Sequence, residues 1–257
     1  MRLTKGDRLL SLLNGGAPGG TRLIPYIEAF VEGGGNADVY EVDDRPHAPN
    51  PDRRHMHYHP SGDCLKCMRL LYYERDPGTE LPEEPPDLKR DLIFKTGDAL
   101  HAMLQALLRR MGEREGYPSF SGAEVRVVDD SINAGGYIDA MVRFPGEDFD
   151  TVVELKTIND RNFQMLKGPK TEHAMQVGMY LAMTGLPRGI VLYINKNTCE
   201  LKEFQVEPQD MQFVLMRWQM VEEALREGSP DSLGYGCERG DRTCEWCRAK
   251  GICYGRL

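Results

Sequence analysis

The stretch GGYIDAMVRF at 135–144, followed after a short turn by VVELKTIND at 152–160, constrains this chain more than any other part of it. Both segments are rich in residues that suit a pleated, half-buried surface. Strands are predicted over Gly136–Phe144 and Thr151–Lys156, with a third over Ala123–Val128 joined to them by the turn-rich DDSINAGG. Side chains alternate across a strand, so Glu154 and Lys156 leave the same face. An adjacent strand can bring Asp139 beside them.

Helical spacing flanks these strands. Leu100, Met103, Leu104, Leu107, Leu108 and Met111 form an apolar stripe within a helix predicted over 88–116. A second helix is expected over Thr171–Thr184, ended by Gly185. Gly189–Asn195 and Glu200–Val206 read as a hairpin. Pro208 opens a last long helix with Met211, Val214, Leu215, Trp218, Val221 and Leu225 on one face and Gly228 past its end. The order is helix, three strands, helix, strand pair, helix. It predicts an α/β fold, a mixed central β-sheet flanked by helices. Residues 1–60 read as an N-terminal extension with helical patterns at Leu9–Leu13 and Ile24–Val31, broken by glycine runs. Residues 88–228 read as the core, with 61–87 and 229–257 as a cysteine-bearing region.

Hydrophobic residues make up 40% of the chain, enough for a sizeable core. No apolar run approaches the roughly 20 residues that span a bilayer. The N-terminus has no secretory apolar region, so the chain reads as intracellular and cytoplasmic, with no membrane partner. A net charge of -8 argues mildly against non-specific nucleic-acid binding. It does not exclude a nuclease, which needs carboxylates at a metal site and positive charge only along its groove.

Two carboxylates at one point can hold a hard divalent cation, Mg2+ or Mn2+. A lysine beside that cation can orient or help deprotonate an attacking water. The E-x-K triplet is weak evidence by itself, because a surface ion pair has the same pattern. Other residues agree with the sharper reading. His101 falls at the edge of its helix stripe, where it can face the sheet. Gln176 and Tyr180 are four apart and share a helix face. They can contact a strand of DNA or brace the lysine.

The series Gly97…His101, Gly136-x-x-Asp139, Glu154-Leu155-Lys156 and Gln176-x3-Tyr180 resembles the RecB branch of the PD-(D/E)XK nucleases, over roughly residues 61–257. The resemblance implies a restriction-endonuclease-like core. It implies metal ligands at His101, Asp139, Glu154 and the Leu155 main-chain carbonyl, and a catalytic lysine at Lys156. Gln176 and Tyr180 would be the motif typical of this branch. No proline precedes Asp139, where Ile138 stands; that variation is usual in the branch.

Seven cysteines without a signal peptide suggest metal rather than disulfides. The tail reads Cys237-x6-Cys244-x2-Cys247-x5-Cys253, and Cys64-x2-Cys67 lies far upstream. Spacing alone admits zinc or an iron–sulfur cluster. The resemblance extends to iron–sulfur nucleases of this branch, among them the CRISPR-associated adaptation exonuclease and its phage relatives. Cys67 with Arg69, Tyr72 and Tyr73 matches their upstream element, and Cys244, Cys247 and Cys253 their tail. It therefore implies a [4Fe–4S] cluster on Cys67, Cys244, Cys247 and Cys253, with Zn2+ as the alternative metal. Cys64 in place of Cys67, and a tail-only zinc site including Cys237, stay open. His55, His57 and His59 alternate, but read as a surface loop before a metal site.

Together these features predict a metal-dependent DNA exonuclease with a structural cluster. Arg161, Lys167 and Lys170 are candidate backbone contacts, and Tyr72, Tyr73 and Phe163 candidate stacking platforms for bases. The rival reading is a non-catalytic DNA-binding or scaffolding subunit that keeps the fold. Association with itself, or with recombination or adaptation partners, is left open by the sequence.

Overall fold

A computed structural model describes residues 21–35, 57–82, 87–234, 236 and 242–255. The Leu9–Leu13 pattern, His55 and Cys237 lie outside these. Helix α1 spans Ile24–Glu32, the short α2 Pro60–Asp63, and α3 Met68–Arg75. Helix α4 runs Leu88–Gly112, opened by Asp87, whose carboxylate accepts the amides of Lys89 and Arg90. Strands β1 Ser119–Asp129, β2 Ala134–Arg143 and β3 Thr151–Ile158 follow. Helices α5 Asp160–Met165 and α6 Thr171–Thr184 lead to β4 Gly189–Asn195 and β5 Leu201–Val206. Helix α7 spans Gln212–Glu227, and the short α8 Arg242–Glu245 and α9 Lys250–Gly255 come last.

The sheet order is β1-β2-β3-β4-β5, with only β3 and β4 parallel. The mixed α/β architecture expected from the sequence is the observed one. A parallel pair needs a crossover, and α5 with α6 supplies it. β4 is buried at every position, as befits a strand covered on both faces.

Parity along β3 assigns its two faces. Val153 and Leu155 join Ile190, Leu192 and Ile194 in a core under α4 and α1. Val152 and Ile158 join Val191 and Tyr193 under α6. Glu154 and Lys156 share the parity of Val152 and Ile158, so they face α6. A third apolar cluster lies outside α6, where α3 packs on α7 around Leu71, Tyr72, Tyr73, Val214 and Trp218. The ring of Tyr58 stacks on Trp218 at 4.7 Å, an arrangement that contributes about 1 kcal/mol beyond area burial.

Several expectations change. Leu23, Tyr26, Ile27 and Phe30 of α1 and its start are part of the main core. Glu203 of β5 accepts the amides of Leu23 at 2.9 Å and Ile24 at 2.7 Å and thereby caps α1. Residues 57–59 run beside β2 rather than in a surface loop: Tyr58 bridges Ala134, His57 bonds Asp130, and His59 bonds the Gly135 carbonyl. The last long helix starts at Gln212, whose amide bonds Asp210, rather than at Pro208. No helix among the described residues is long and apolar enough to cross a membrane.

Candidate active site

The site lies where β2 and β3 part. Their ladder is short, pairing only Ala140–Val142 with Thr151–Val153. Beyond it the Leu155 amide has no backbone ladder partner on β2. Asp139 takes that place, and its Oδ2 accepts the Leu155 N–H at 2.7 Å. On the far side of the fork, α4 contributes Gln105, whose amide donates to the Asp139 carbonyl at 2.9 Å. One helical turn earlier, His101 Nδ1 stands 3.9 Å from Asp139 Oδ2. Gly97, a further turn back, lets α4 lie close to β3: a Cβ there would stand 3.3 Å from Thr157 Oγ1.

Glu154 is 1% exposed. Lys156 Nζ donates to its Oε1 at 2.7 Å, while its Oε2 is buried without a hydrogen-bond partner. Burial pushes the Glu154 carboxyl well above the usual carboxylate range, and the charge of Asp139 adds to this while Lys156 opposes it. Burial raises Asp139 as well, again against Lys156. His101 is shifted the other way, by burial and then by the charge of Lys156, which favours the neutral ring. A neutral imidazole is the form that ligates metal.

Tyr180 and Gln176 close the site from α6. Both are buried. The Tyr180 hydroxyl donates to the Tyr137 carbonyl at 2.9 Å and accepts from Gln176. Gly136 makes room, since a Cβ there would meet the hydroxyl at 2.8 Å. The pair thus clamps β2 to α6 around Glu154. Gln176 and Tyr180 are 3% and 1% exposed, and the bonds described for them run to the Tyr137 carbonyl and to each other.

The chemistry of this donor set suits a hard divalent cation. Two carboxylates are held together inside the protein, and one of their oxygens is unpartnered where an unpaired acceptor is costly. As they stand, these residues are not drawn in to ligating distance: no group of three His, Cys, Asp or Glu side chains among the described residues forms a ready metal nest. Lys156 is the group that partly neutralises Glu154 instead.

Past Lys156, β3 ends in a helix start that the sequence reading missed. Asn159 caps α5 by accepting the Asn162 amide at 2.9 Å, and Asp160 accepts from the Asn195 side chain at 2.8 Å. An open basin of about 730 Å³ lies there, lined by Asn159, Asp160, Arg161, Asn162, Met165, Asn197 and Thr198. Such basins at the carboxyl ends of strands are common ligand positions. Arg161 is on the basin wall and exposed; Lys167 is exposed, and Lys170 is half-buried near Glu172. Tyr72, Tyr73 and Phe163 are core residues, not stacking platforms. Their rings satisfy the apolar faces of α3 and α5.

A second constellation lies outside α6. Cys67, Cys244, Cys247 and Cys253 line one small cavity together with Arg69, Tyr73 and Gly236. Arg69 reaches across it to the Gly234 carbonyl at 3.1 Å. Cys64 does not line it. Its thiol is buried against the Pro60 carbonyl, and burial pushes it up to about 12. Cys67, Cys247 and Cys253 are free thiols, whereas Cys244 is disulfide-bonded.

No family model matches the chain, and no curated protein matches it. Solved structures are similar to it, among them the following three. LHK-Exo in complex with dAMP is 18% identical, covering 68% of this chain and 92% of that chain, with a TM-score of 0.50. An alkaline exonuclease (LHK-Exo) from Laribacter hongkongensis is 16% identical over 68% of this chain and 90% of that one, with a TM-score of 0.46. A protein designated SSO0001 is 19% identical over 79% and 88%, with a TM-score of 0.45. Likeness at this identity is likeness of fold: the mixed sheet with its flanking helices is a restriction-endonuclease-like core.

Proposed function

We propose that this chain is a metal-dependent nuclease that hydrolyses phosphodiester bonds in DNA, acting on single strands or strand ends. The observation that carries the reading is Glu154: a buried carboxylate, beside a second carboxylate and a lysine, with one oxygen left without a partner. The fold it shares with LHK-Exo, a protein solved with dAMP bound, supports DNA as substrate.

Asp139, Glu154, His101 and the Leu155 carbonyl would hold Mg2+ or Mn2+. When bound, the cation lowers the pKa of a water and stabilises charge on the phosphate. Lys156 would hydrogen-bond and orient the attacking water, a role supported by the 2.7 Å contact of its ammonium with Glu154. Gln176 and Tyr180 keep Glu154 walled from bulk solvent. Arg161, Lys167 and Lys170 supply backbone contacts at the basin and beside it, which makes binding salt-dependent.

The four cysteines of the outer cavity are proposed as the ligands of a [4Fe–4S] cluster, with Zn2+ as the alternative. Their shared cavity supports this, as does the exclusion of Cys64 from it. The set needs the Cys244 disulfide reduced. The cluster would be structural, tying α3 to the tail.

The test is cleavage of labelled single- and double-stranded DNA with Mg2+ or Mn2+ by the native chain, Lys156→Ala and Glu154→Ala. The variants are expected to lose on the order of 10²–10⁴ in rate. Equal cleavage by all three, or binding without cleavage by the native chain, overturns the reading. Anaerobic purification with iron, sulfide and zinc analysis decides the metal of the cysteine cavity.

A further inference from the structure

His173 lies outside every motif named above, yet it shares a stripe with two of their members. It stands three residues before Gln176 and seven before Tyr180, at spacings that put all three on one face of α6. Gln176 and Tyr180 are buried at the inner end of that stripe, and His173 is half-buried at its open end.

Its ring is tied to the sheet. Nδ1 is 2.8 Å from the hydroxyl of Tyr193. Tyr193 is fully buried on β4 and stands in register with Lys156 on β3. The same hydroxyl accepts the Lys170 amide at 2.9 Å. A phenol has one proton to give. With its oxygen already accepting from Lys170, that proton needs an acceptor, and His173 Nδ1 is the one within reach. Burial pushes the phenol up to about 12, so the proton stays on it. The ring proton of His173 is therefore on Nε2.

The ring is also kept uncharged. Burial first, then the positive charge of Lys156 and to a smaller extent Lys170, bring it down to about 4 against the opposing pull of Glu172. Nε2 has no hydrogen-bond partner among the described residues. The outcome is a neutral N–H donor of fixed orientation. It flanks β3 on the β4 side, as Asp139 flanks it on the β2 side. A second cation there would repel a divalent metal, whereas a neutral donor does not.

We propose that His173 is a substrate-binding residue whose Nε2–H donates a hydrogen bond to a non-bridging phosphate oxygen of the DNA strand, with Tyr193 fixing the tautomer that makes it a donor. This rests on the nuclease reading and names a contact that reading did not include. His173→Ala should lower kcat/KM roughly ten- to hundredfold, the range for losing one donor to a charged acceptor. Two conservative variants separate the roles. A glutamine amide nitrogen reaches the position of Nε2, so His173→Gln should restore most of the loss. An asparagine oxygen reaches only the position of Nδ1. His173→Asn should still accept from Tyr193 yet fail to restore cleavage.

The tautomer has its own readout, ring nitrogen chemical shifts of the histidine-labelled native chain at neutral pH without DNA. A neutral ring protonated at Nε2 is expected, and Tyr193→Phe should mix the tautomers. Rescue by asparagine and not glutamine, an Nδ1-protonated or charged ring, or full activity in His173→Ala overturns the proposal. Each of these, in a native chain that cleaves DNA, leaves the nuclease reading standing. A native chain that cleaves nothing removes both.

Discussion

Asp139 Oδ2 accepts the backbone amide of Leu155 from the neighbouring strand at 2.7 Å, in the place where the sheet ladder has stopped. One carboxylate thus finishes the sheet and presents charge to the site. Asp139→Asn separates the two roles, because an amide oxygen still accepts from Leu155 but carries no charge. The variant should fold with a melting temperature close to native. Its Mn2+ affinity, read by calorimetric titration, should fall at least about tenfold, the scale of weakened charge-assisted ligation. A large loss of stability with unchanged Mn2+ affinity would reverse the assignment.

Metal binding should stabilise more at alkaline pH. Burial raises the carboxyl groups of Asp139 and Glu154 above their unfolded values. A group raised on folding contributes stability that is present below its unfolded pKa and lost as pH rises through its folded one. The metal-free protein therefore loses stability from the ordinary carboxylate range up through neutral pH. A divalent cation takes the place of those protons. The rise in melting temperature produced by Mn2+ should be larger at about pH 8 than at about pH 5.5, measured by thermal shift against a chelated control.

Gly136→Ala should act at a distance from any ligand. The added methyl would meet Tyr180 Oη at 2.8 Å and Pro60 Cδ at 3.4 Å. The phenol must swing away and give up its bond to the Tyr137 carbonyl. Overpacking of this kind costs roughly 1–3 kcal/mol, readable from urea unfolding. Cleavage should fall as the wall beside Glu154 opens.

Cys64 and Cys67 are three positions apart and should behave oppositely. Cys67 lines the cysteine cavity, and Cys64 points to the Pro60 carbonyl. In anaerobically purified protein, Cys67→Ser should lose the visible absorption of an iron–sulfur cluster, and Cys64→Ser should retain it. The same band in both, or in neither, would remove Cys67 from the ligand set.

Much of the site was legible because it is local. Glu154 and Lys156 share a face by strand parity, and Gln176 and Tyr180 share one by helical spacing. The ends of α6 and α7 were legible too, since Gly185 and Gly228 take left-handed conformations there. What escaped depends on partners distant in sequence. α5 is six residues without a periodic stripe, held by a side-chain cap and by Asn195. His173 becomes informative only once Tyr193 is beside it. Tyr72 and Tyr73 looked like platforms for bases because an aromatic pair in a short segment does not reveal which surface covers it; α7 does. The core role of Leu23 through Phe30 needs Glu203 to cap the helix that carries them.

The walls of the cysteine cavity come from opposite sides of the core, Cys67 from before it and Cys244–Cys253 from after it. A ribosome makes the first wall before the sheet and the second after it. While the strands are being synthesised, the face of α3 that later meets the tail is bare. The cavity therefore cannot close before residue 253 has been made, and a group held by all four cysteines must arrive after that.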